Sequence, residues 1–575
     1  MAEKIISPGV FTQENDLSFV PQGIGEIGGA IIGPTVKGPA LVPTVVNSYA
    51  EYVQMFGSTF VEDGTTQEYL TSVSAKQYLK HSGTLTVVRI LGDGYANATA
   101  SVQASSSGTT SFKIHTIADG AIMNNSGSEG TNNLLTSGSK DNLRWEISNV
   151  NEKKGTFTLL VRQGNDTSKR KIILETWSGL SSDPNSNTYI AKMIGDQYNT
   201  LKTNDGTYLQ PTGNYPNKSK YIYISTVKDI VNYLDPNGAT SSATNKDNLP
   251  AVASGAFSTG ANGGAVASPK FFGDITTTGD NVQGLNVSSN TQTSGGASYK
   301  SAIDLLSNQD DYDVNVVWAP GINYQNAPAL CKDLISMCET RGDCFAVIDP
   351  TCATQTISTA TTAASAIDSS YAATYYPWVQ TQANGKFEWV PPSVMIPGIY
   401  AFNDKVAAEW YAPAGLNRGG VETAIQAERK LTHGNRDTLY EESVNPLATF
   451  PGEGVVVWGQ KTLQKKASAL DRVNVRRLLI NLKKFIASTS KYLVFENNTA
   501  ATRNRFLASV NPYMESVQQK QGLYAFKVVM DESNNTADVV DRNIMKGEIF
   551  IQPAKAAEFI VIDFNIMPSG ATFED

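Results

Sequence analysis

The sequence predicts a multidomain α/β (α+β) protein, in which an α/β core carries a β-rich insertion and both termini form extended β-strand arms. Three observations support this prediction. Strand-like and helix-like segments alternate over residues 312–378, residues 101–300 are rich in Ser, Thr, Gly and Asn, and both ends of the chain contain strand-like runs without a sequence-adjacent partner. At about 150 residues per domain, a chain of 575 residues contains about four domains.

The core is predicted from the alternating segments. Strands are expected at Tyr312–Trp318, Cys344–Ile348 and Ala373–Trp378, and helices at Ala329–Arg341 and Ile357–Ser369. A βαβαβ order implies a parallel sheet with helical crossovers. We therefore assign residues 301–390 to a core α/β unit.

A first part of the core is expected over residues 21–100. Its segments read as a strand at Ala30–Ile32, helices at Tyr49–Phe56 and Tyr69–His81, and a strand at Leu85–Leu91. The following residues, 101–300, are predicted to be an outward insertion. Within it, strands of a β-meander are expected at Leu143–Val150, Thr156–Arg162 and Lys169–Trp177, and the turn-rich stretch 237–298 is expected to form loops.

The last part of the chain, residues 391–575, is predicted to contain two long helices and two strands. The helices are expected at 463–490 and 501–521, the second of them interrupted near Pro512. The strands are expected at Glu548–Gln552 and Glu558–Ile566. Ile560, Ile562 and Phe564 fall on one face of the closing strand.

The arm at residues 1–20 contains a short extended run around Val10, Phe11 and Thr12. A glycine-rich stretch at 23–29 separates this run from the core. An unpaired strand pairs readily with the sheet of another chain. We therefore expect Val10, Phe11 and Thr12, together with Ile560, Ile562 and Phe564, to link subunits.

Composition and motifs argue against several function classes. The formal net charge is −8, so no global basic field favours nucleic acid. No apolar run is long enough for a membrane helix, and synthesis and folding in a cytoplasm are expected. The four cysteines are expected to be reduced and mostly buried, and the three histidines stand apart from one another. We predict no catalytic residues, no cofactor, no metal site and no enzymatic activity.

One apparent motif and one charged helix allow two interpretations each. The spacing Gly23-x-Gly25-x-x-Gly28 matches a dinucleotide fingerprint, but no strand precedes it and no helix follows, which favours a glycine-rich bend.

In the helix expected at 463–490, Arg476 and Arg477 precede Lys483 and Lys484 by seven residues. These four side chains form either a solvated face or a basic stripe that binds an acidic protein partner.

From residue 391 onward, several strings of residues resemble the contractile tail sheath family of myophages and related injection machines. The strings are Ala412–Gly419 (APAGLNRG), Val444–Leu447 (VNPL), Phe450–Leu463 (FPGEGVVVWGQKTL) and Val473–Leu478 (VNVRRL). Near the start of the chain, Ser7–Phe11 (SPGVF) and Gly33–Pro39 (GPTVKGP) are similar to the opening of that family. The resemblance covers about residues 1–95 and 300–575, and the insertion lies outside it.

The resemblance implies an α/β core near the tail axis and variable domains that project outward. It also implies a homo-oligomeric helical sheath in the virion, assembled in the host cytoplasm, that contracts around an inner tail tube and drives the tube through the host envelope. The implied partners are the tube protein and the baseplate and tail terminator proteins, without direct nucleic-acid contact. It favours the basic stripe at Arg476, Arg477, Lys483 and Lys484 as a surface that faces the tube.

Two other function classes remain open from the residues alone. The first is a static virion or tail protein, which would form one lattice state where a sheath forms two. The second is an α/β enzyme with a β-rich insertion, which would form a discrete oligomer with a convergent polar pocket.

Overall fold

The computed structural model describes residues 28–562 except 63–64, 93, 107, 126–135, 205, 236, 241 and 264–298. The packing of the chain divides these residues into two compact units. The large unit comprises residues 28–481 and 555–562, and the small unit comprises residues 482–554.

Strands and helices of the described residues follow one another along the whole chain. The strands are β1 (Gly29–Gly33), β2 (Thr44–Val46), β3 (Thr59–Glu62), β4 (Thr65–Glu68), β5 (Leu85–Arg89), β6 (Asn97–Gln103), β7 (Thr110–Asp119), β8 (Leu143–Asn151), β9 (Thr156–Gln163), β10 (Ile173–Ser181), β11 (Tyr198–Lys202), β12 (Tyr208–Thr212), β13 (Ile222–Ser225), β14 (Ser254–Ala256), β15 (Val316–Asn323), β16 (Phe345–Asp349), β17 (Ala372–Tyr376), β18 (Val379–Ala383), β19 (Lys386–Val390), β20 (Ala424–Ala427), β21 (Val444–Phe450), β22 (Gly454–Val457), β23 (Leu523–Val529) and β24 (Glu548–Pro553). The helices are α1 (Tyr49–Phe56), α2 (Leu70–Leu79), α3 (Ile190–Ile194), α4 (Ala243–Asn248), α5 (Tyr299–Leu306), α6 (Pro328–Arg341), α7 (Ile357–Ser365), α8 (Ile396–Val406), α9 (His433–Glu441), α10 (Val473–Lys491), α11 (Ala500–Gln519) and α12 (Ala537–Asp541).

The large unit is built around an eight-stranded sheet in the order β2-β5-β1-β15-β16-β17-β21-β22. The strands from β5 to β21 are parallel, and the edge strands β2 and β22 are antiparallel to their neighbours. Largely apolar runs such as Phe345–Asp349 are buried throughout, as is typical of parallel strands covered on both faces. The predicted α/β class and the parallel βαβαβ unit are confirmed.

Helices cover both faces of this sheet, because successive side chains of a strand point to opposite sides. Ile32 belongs to the cluster that includes α5, α6 and α7, whereas Ile31 belongs to the cluster that includes α1, α2 and α8. The free thiols of Cys331, Cys338 and Cys344 are buried in the first cluster. The expectation of reduced, mostly buried cysteines is therefore confirmed.

The first helices follow local rules. Ser48 caps α1 by accepting a hydrogen bond from the Glu51 N–H at 3.2 Å, and Gly57, at φ 74°, ends the helix. The prediction for Tyr49–Phe56 is confirmed to the residue. The strand predicted at Tyr312–Trp318 begins only at Val316, because the turn that contains Asp310 and Asp311 extends further than expected.

The insertion has sheets and a hydrophobic core of its own. Its sheets have the orders β13-β7-β6, β10-β9-β8-β14 and β11-β12. A hydrophobic cluster that includes Phe112, Ile147, Leu159 and Ile222 draws its residues from the first two sheets. The three strands of the predicted meander are present as β8, β9 and β10. The third begins at Ile173, later than predicted, because the Thr167 N–H donates to the Arg170 carbonyl in a turn.

The chain enters and leaves the insertion at adjacent points. The Ala96 and Ala261 backbones exchange two hydrogen bonds of 3.0 Å, and the Gly92 N–H donates to the Asn262 carbonyl at 2.9 Å. The buried Arg89 guanidinium donates to the Asp119 carbonyl at 2.7 Å, and the Asp119 carboxylate accepts from the Ala40 N–H at 2.8 Å. These bonds attach the base of the insertion to the core.

Two predictions in the last third of the chain are wrong. The helix expected from Leu463 begins at Val473. Residues before it pair with the core instead: the Leu463 N–H donates to the Ala372 carbonyl at 2.9 Å. The second helix, α11, is not interrupted near Pro512, which lies inside it. A proline within a helix removes one backbone donor, and the remaining bonds of this 20-residue helix preserve it.

The small unit combines the end of α10, helices α11 and α12, and the antiparallel pair β23–β24. Phe485 stacks on Tyr513 with ring centroids 3.7 Å apart, and α11 packs against β23. The boundary between the two units falls within α10.

Candidate assembly surfaces

Glu558 anchors the last described residues to the large unit. Its carboxylate accepts hydrogen bonds from Arg472 Nε at 2.7 Å, from the Tyr440 hydroxyl at 2.8 Å and from Gln460 Nε2 at 3.0 Å. Lys461 Nζ lies 4.6 Å from the centre of the Tyr440 ring and donates to the Tyr440 carbonyl at 2.6 Å. The carboxylate is thus held from three sides by groups on two separate segments of the core.

The anchor favours the ionised form of Glu558. Burial alone raises the pKa of the carboxyl, but the hydrogen bonds from Arg472, Tyr440 and Gln460 outweigh it, so the pKa of Glu558 lies below its ordinary value. The pKa of Tyr440 is raised by burial and by the charge of Glu558. The anchor therefore holds a carboxylate and a neutral phenol at neutral pH.

The residues that follow the anchor expose their apolar side chains. Ile560 and Ile562 are 80% and 68% exposed, and residues 558–562 have no regular secondary structure within the chain. The strand predicted at Glu558–Ile566 is therefore not formed over its described part. Phe564 and the N-terminal Val10, Phe11 and Thr12 lie outside the described residues. The linking role of all these residues stays a prediction.

The sheet β23–β24 of the small unit presents open edges. Its strands pair with each other, from Leu523↔Pro553 to Val529↔Glu548, and with no third strand among the described residues. Tyr524 and Phe550 on these strands are exposed. A two-stranded sheet gains stability from further strands, so this pair can accept a strand from another chain.

The prediction that Arg476 and Arg477 belong to an exposed basic stripe is wrong for this chain. Arg477 is 3% exposed, and its guanidinium donates to the Asp404 carboxylate at 2.9 and 2.5 Å and lies 4.8 Å from the Tyr400 ring. Arg476 is 5% exposed, lies 4.1 Å from the Tyr371 ring and donates to the Ser370 hydroxyl.

Partners distant in sequence explain the burial of these two arginines. Helical spacing alone does not reveal Asp404, which lies 73 residues earlier in the chain. A buried arginine requires such a partner, because an unpaired buried charge is strongly destabilising. Lys483 is exposed and Lys484 is half-buried, so only these two members of the predicted stripe reach solvent.

Across the part of the chain that the structure describes, no group of three or more His, Cys, Asp or Glu residues is arranged to hold a metal ion. Within the same residues, no helix combines the length and the apolarity required to cross a bilayer. Gly28, the last glycine of the apparent dinucleotide motif, leads into β1 rather than into a helix.

Sequence comparisons connect the chain to tail sheath proteins. Residues 293–463 match the model of the phage tail sheath protein central domain, and residues 465–567 match that of the phage tail sheath C-terminal domain. The tail sheath protein of Enterobacteria phage T4 is 32% identical over 311 residues, which cover 50% of this chain and 47% of that protein. The tail sheath protein of Vibrio phage KVP40 is 38% identical over 200 residues, which cover 35% of this chain and 30% of that protein. The chain thus spans less than half of the length of these curated relatives.

Two solved structures have a similar fold. The sheath tail protein from Listeria innocua is 11% identical, with a TM-score of 0.55 over 92% of this chain and 93% of that chain. The helical sheath of the anti-feeding prophage in the contracted state is 14% identical, with a TM-score of 0.50 over 98% of this chain and 99% of that chain. The fold likeness extends over nearly the whole chain, and the two domain matches define its second half. Residues 293–567 of this chain therefore match the central and C-terminal domains of the phage tail sheath family.

Proposed function

We propose that this protein is the structural subunit of a contractile tail sheath. In this function it polymerises helically around an inner tail tube and contracts to drive the tube through the host envelope. The observation that carries the proposal is the match of two consecutive sheath domains over residues 293–567. The subunit is assembled in the host cytoplasm and resides in the tail of the virion, where it meets tube, baseplate and terminator proteins.

Terminal segments connect the subunits in this proposal. The anchor at Glu558 holds the base of a segment whose apolar side chains, including Ile560 and Ile562, are exposed. Val10, Phe11 and Thr12 of one subunit add a strand to the sheet in the C-terminal region of a neighbour, beside its closing segment. A strand of five residues makes about five backbone hydrogen bonds, which contribute about 3–7 kcal/mol before the cost of ordering the strand.

Strand exchange suits a lattice with two states. A strand that is hydrogen-bonded to a neighbour keeps its register while a flexible bend absorbs rotation of the subunit. Such head-to-tail contacts do not close, and they therefore generate filaments. The subunit bodies then move between an extended and a contracted lattice without leaving the network.

Lys483 and Lys484 remain the candidates for contact with an acidic tube. Each exposed charge pair contributes only about 0–1 kcal/mol. The affinity for the tube therefore has to come from repetition of these pairs along the lattice. Reversal of both charges is expected to weaken co-assembly with tube protein, and added salt is expected to act in the same direction. Unchanged co-assembly in both experiments would remove these lysines from the proposal.

Electron microscopy of the purified protein tests the proposal. The full chain is expected to form long hollow cylinders, and a variant that lacks residues 1–20 is expected to fold but form none. Replacement of Phe11 by proline is expected to act like the truncation, because proline cannot donate to a sheet ladder. Discrete closed oligomers of the full chain would contradict the sheath function, and cylinders of the truncated chain would contradict strand exchange.

A further inference from the structure

A cavity of about 170 Å³ lies where the insertion meets the core. The core contributes α1 and the loop after β1 to its wall, and the insertion contributes β7, β8 and β10. Two hydrogen bonds beside the cavity join these parts: Gln54 Nε2 donates to the Tyr221 hydroxyl at 2.9 Å, and Lys140 Nζ donates to the Thr59 hydroxyl at 3.3 Å. The cavity therefore belongs to the surface that attaches the insertion.

Much of the cavity wall is apolar. Met55, Ile117 and Leu174 line the cavity and are half-buried, and the lining residues Met123 and Leu143 are buried. An apolar cavity of about 150 Å³ is large enough to bind benzene. The cavity of this chain therefore has room for an apolar body of about six carbon atoms.

The charged groups of the wall are mostly basic. Lys37, Lys140 and Lys220 line the cavity, and Asp141 is the one acidic side chain among its described lining residues. The Asp141 carboxylate lies 3.5 Å from Lys37 Nζ and 4.0 Å from Lys140 Nζ. Three ammonium groups and one carboxylate leave a surplus of two positive charges.

The surplus charge lies at the opening of the cavity. Lys140 and Lys220 are exposed, whereas the ion pair of Lys37 and Asp141 is largely buried. Burial lowers the pKa of Lys37, and the Asp141 carboxylate acts against this shift. The ion pair is therefore part of the interior of the wall, and the two exposed ammonium groups face whatever enters the cavity.

A further carboxylate beside the cavity, that of Glu175, has partners of its own. It accepts hydrogen bonds from the Ser219 hydroxyl at 2.6 Å, from the Lys220 N–H at 2.9 Å and from Trp177 Nε1 at 3.0 Å. Glu175 thus contacts the backbone of Lys220, and its charge is met by these three donors.

We propose that the cavity binds a small organic anion with an apolar body. The charged group pairs with Lys140 and Lys220 at the opening, and the body lies against Met55, Ile117 and Leu174. Because the ligand contacts the core through α1 and the insertion through β7 and β10, it stabilises the attachment of the insertion. The inference goes beyond the proposed sheath function and does not depend on it.

Hexanoate, 1-hexanol and hexylammonium test the proposal, because they share an alkyl chain and differ in charge. Their binding to the full chain is measured by titration with saturation-transfer difference NMR. Hexanoate is expected to bind about threefold or more tightly than 1-hexanol, since two exposed charge pairs form. Hexylammonium is expected to bind more weakly than 1-hexanol, because its charge is repelled at the opening.

Three variants of the full chain locate the site. Joint replacement Lys140→Gln and Lys220→Gln should weaken hexanoate binding about threefold or more and leave binding of 1-hexanol unchanged. The matched control, Lys153→Gln with Lys154→Gln, removes two exposed lysines from the turn between β8 and β9 and should bind hexanoate like the unmodified chain. Ala118→Leu fills part of the cavity and should weaken both ligands about tenfold, while its Tm stays unchanged or rises.

Several outcomes would overturn the inference. Absence of hexanoate binding, or equal affinities of the unmodified chain for hexanoate and 1-hexanol, would contradict an anion site. Hexanoate binding that survives both the replacement of Lys140 and Lys220 and Ala118→Leu would place the ligand elsewhere. Equal weakening by the control pair would show a general effect of net charge. If the full chain binds hexanoate in the expected way but forms no cylinders, the cavity inference is supported and the sheath function is contradicted.

Discussion

Removal of the Glu558 carboxylate is expected to destabilise the large unit. Glu558→Ala deletes three hydrogen bonds, of which the one from Arg472 is also an ion pair. Hydrogen bonds to charged groups contribute about 1.5–3 kcal/mol each, and partial exposure and non-additivity reduce the sum. We expect a loss of about 2–4 kcal/mol in the free energy of unfolding for Glu558→Ala and about 1 kcal/mol for Glu558→Gln, which keeps the shape of the side chain.

Tryptophan fluorescence in a urea titration isolates this effect. All seven tryptophans lie in the large unit, so their emission does not follow unfolding of the small unit. A double-mutant cycle with Tyr440→Phe should show a coupling energy of about 0.5–2 kcal/mol, because the two side chains are in contact. The exposed Glu453, replaced by Ala, is the control and should change the free energy of unfolding by at most about 0.5 kcal/mol.

The pH dependence of the free energy of unfolding of Glu558→Ala tests whether the ionised Glu558 carboxylate stabilises the fold. The pKa of Glu558 is lowered in the folded chain from its ordinary value of 4.5. The stabilisation is therefore fully present above pH 4.5 and is lost as the pH falls through the lowered pKa. The difference between the unmodified chain and Glu558→Ala should shrink in that acidic window. A coupling energy of zero with Tyr440→Phe would refute the anchor. So would a stability difference between the unmodified chain and Glu558→Ala that stays the same down to a pH at which the Glu558 carboxyl is fully protonated.

Three further predictions concern other parts of the chain. Asp404→Ala, which leaves the buried Arg477 without its carboxylate, should cost about 3–5 kcal/mol by tryptophan fluorescence, whereas Glu422→Ala, which removes an exposed ion pair with Lys80 in the same unit, should cost about 0–1 kcal/mol; equal effects would contradict the burial argument. Pro512→Ala should stabilise α11 by about 1–3 kcal/mol, because alanine restores the backbone donor that proline lacks. The change is measured by far-UV circular dichroism, since the small unit contains no tryptophan. A destabilised variant would show that Pro512 has a packing role. Replacement of residues 97–260 by a short Gly-Ser linker should leave a folded core that still forms cylinders. The linker has only a short distance to span, because the Ala96 and Ala261 backbones are hydrogen-bonded to each other. A folded but monomeric product would assign lattice contacts to the insertion.

Local patterns predicted the core well. The helix at Tyr49–Phe56 has a serine cap, an apolar face and a terminal glycine, all within ten residues. The largely apolar runs at Phe345–Asp349 and Ala372–Tyr376 are long enough to identify buried strands. Such signals are local, so the sequence displays them without knowledge of the fold. The expected burial of the cysteines agrees with the same local pattern, since Cys331 and Cys338 are seven residues apart in α6 and are both buried.

Predictions that depended on distant partners were less accurate. Arg476 and Arg477 have the spacing of an exposed stripe, yet Asp404, Tyr400 and Tyr371 hold them inside the large unit. The start of α10 was misplaced because Leu463 pairs with a strand that lies about ninety residues earlier. The anchor at Glu558 was missed for the same reason: its partners come from residues 440–472, and no local pattern connects them to the end of the chain.

Strand exchange between subunits is tested by a helical reconstruction of cylinders assembled from the full chain. We predict that residues about 8–18 of one copy lie as a strand hydrogen-bonded to a sheet in the C-terminal region of another copy, with the same pairing in an extended and a contracted lattice. We also predict that Glu558 of each copy contacts Arg472 of the same copy in both states. Arms that fold back on their own subunit, or a single lattice state under all conditions, would contradict the account.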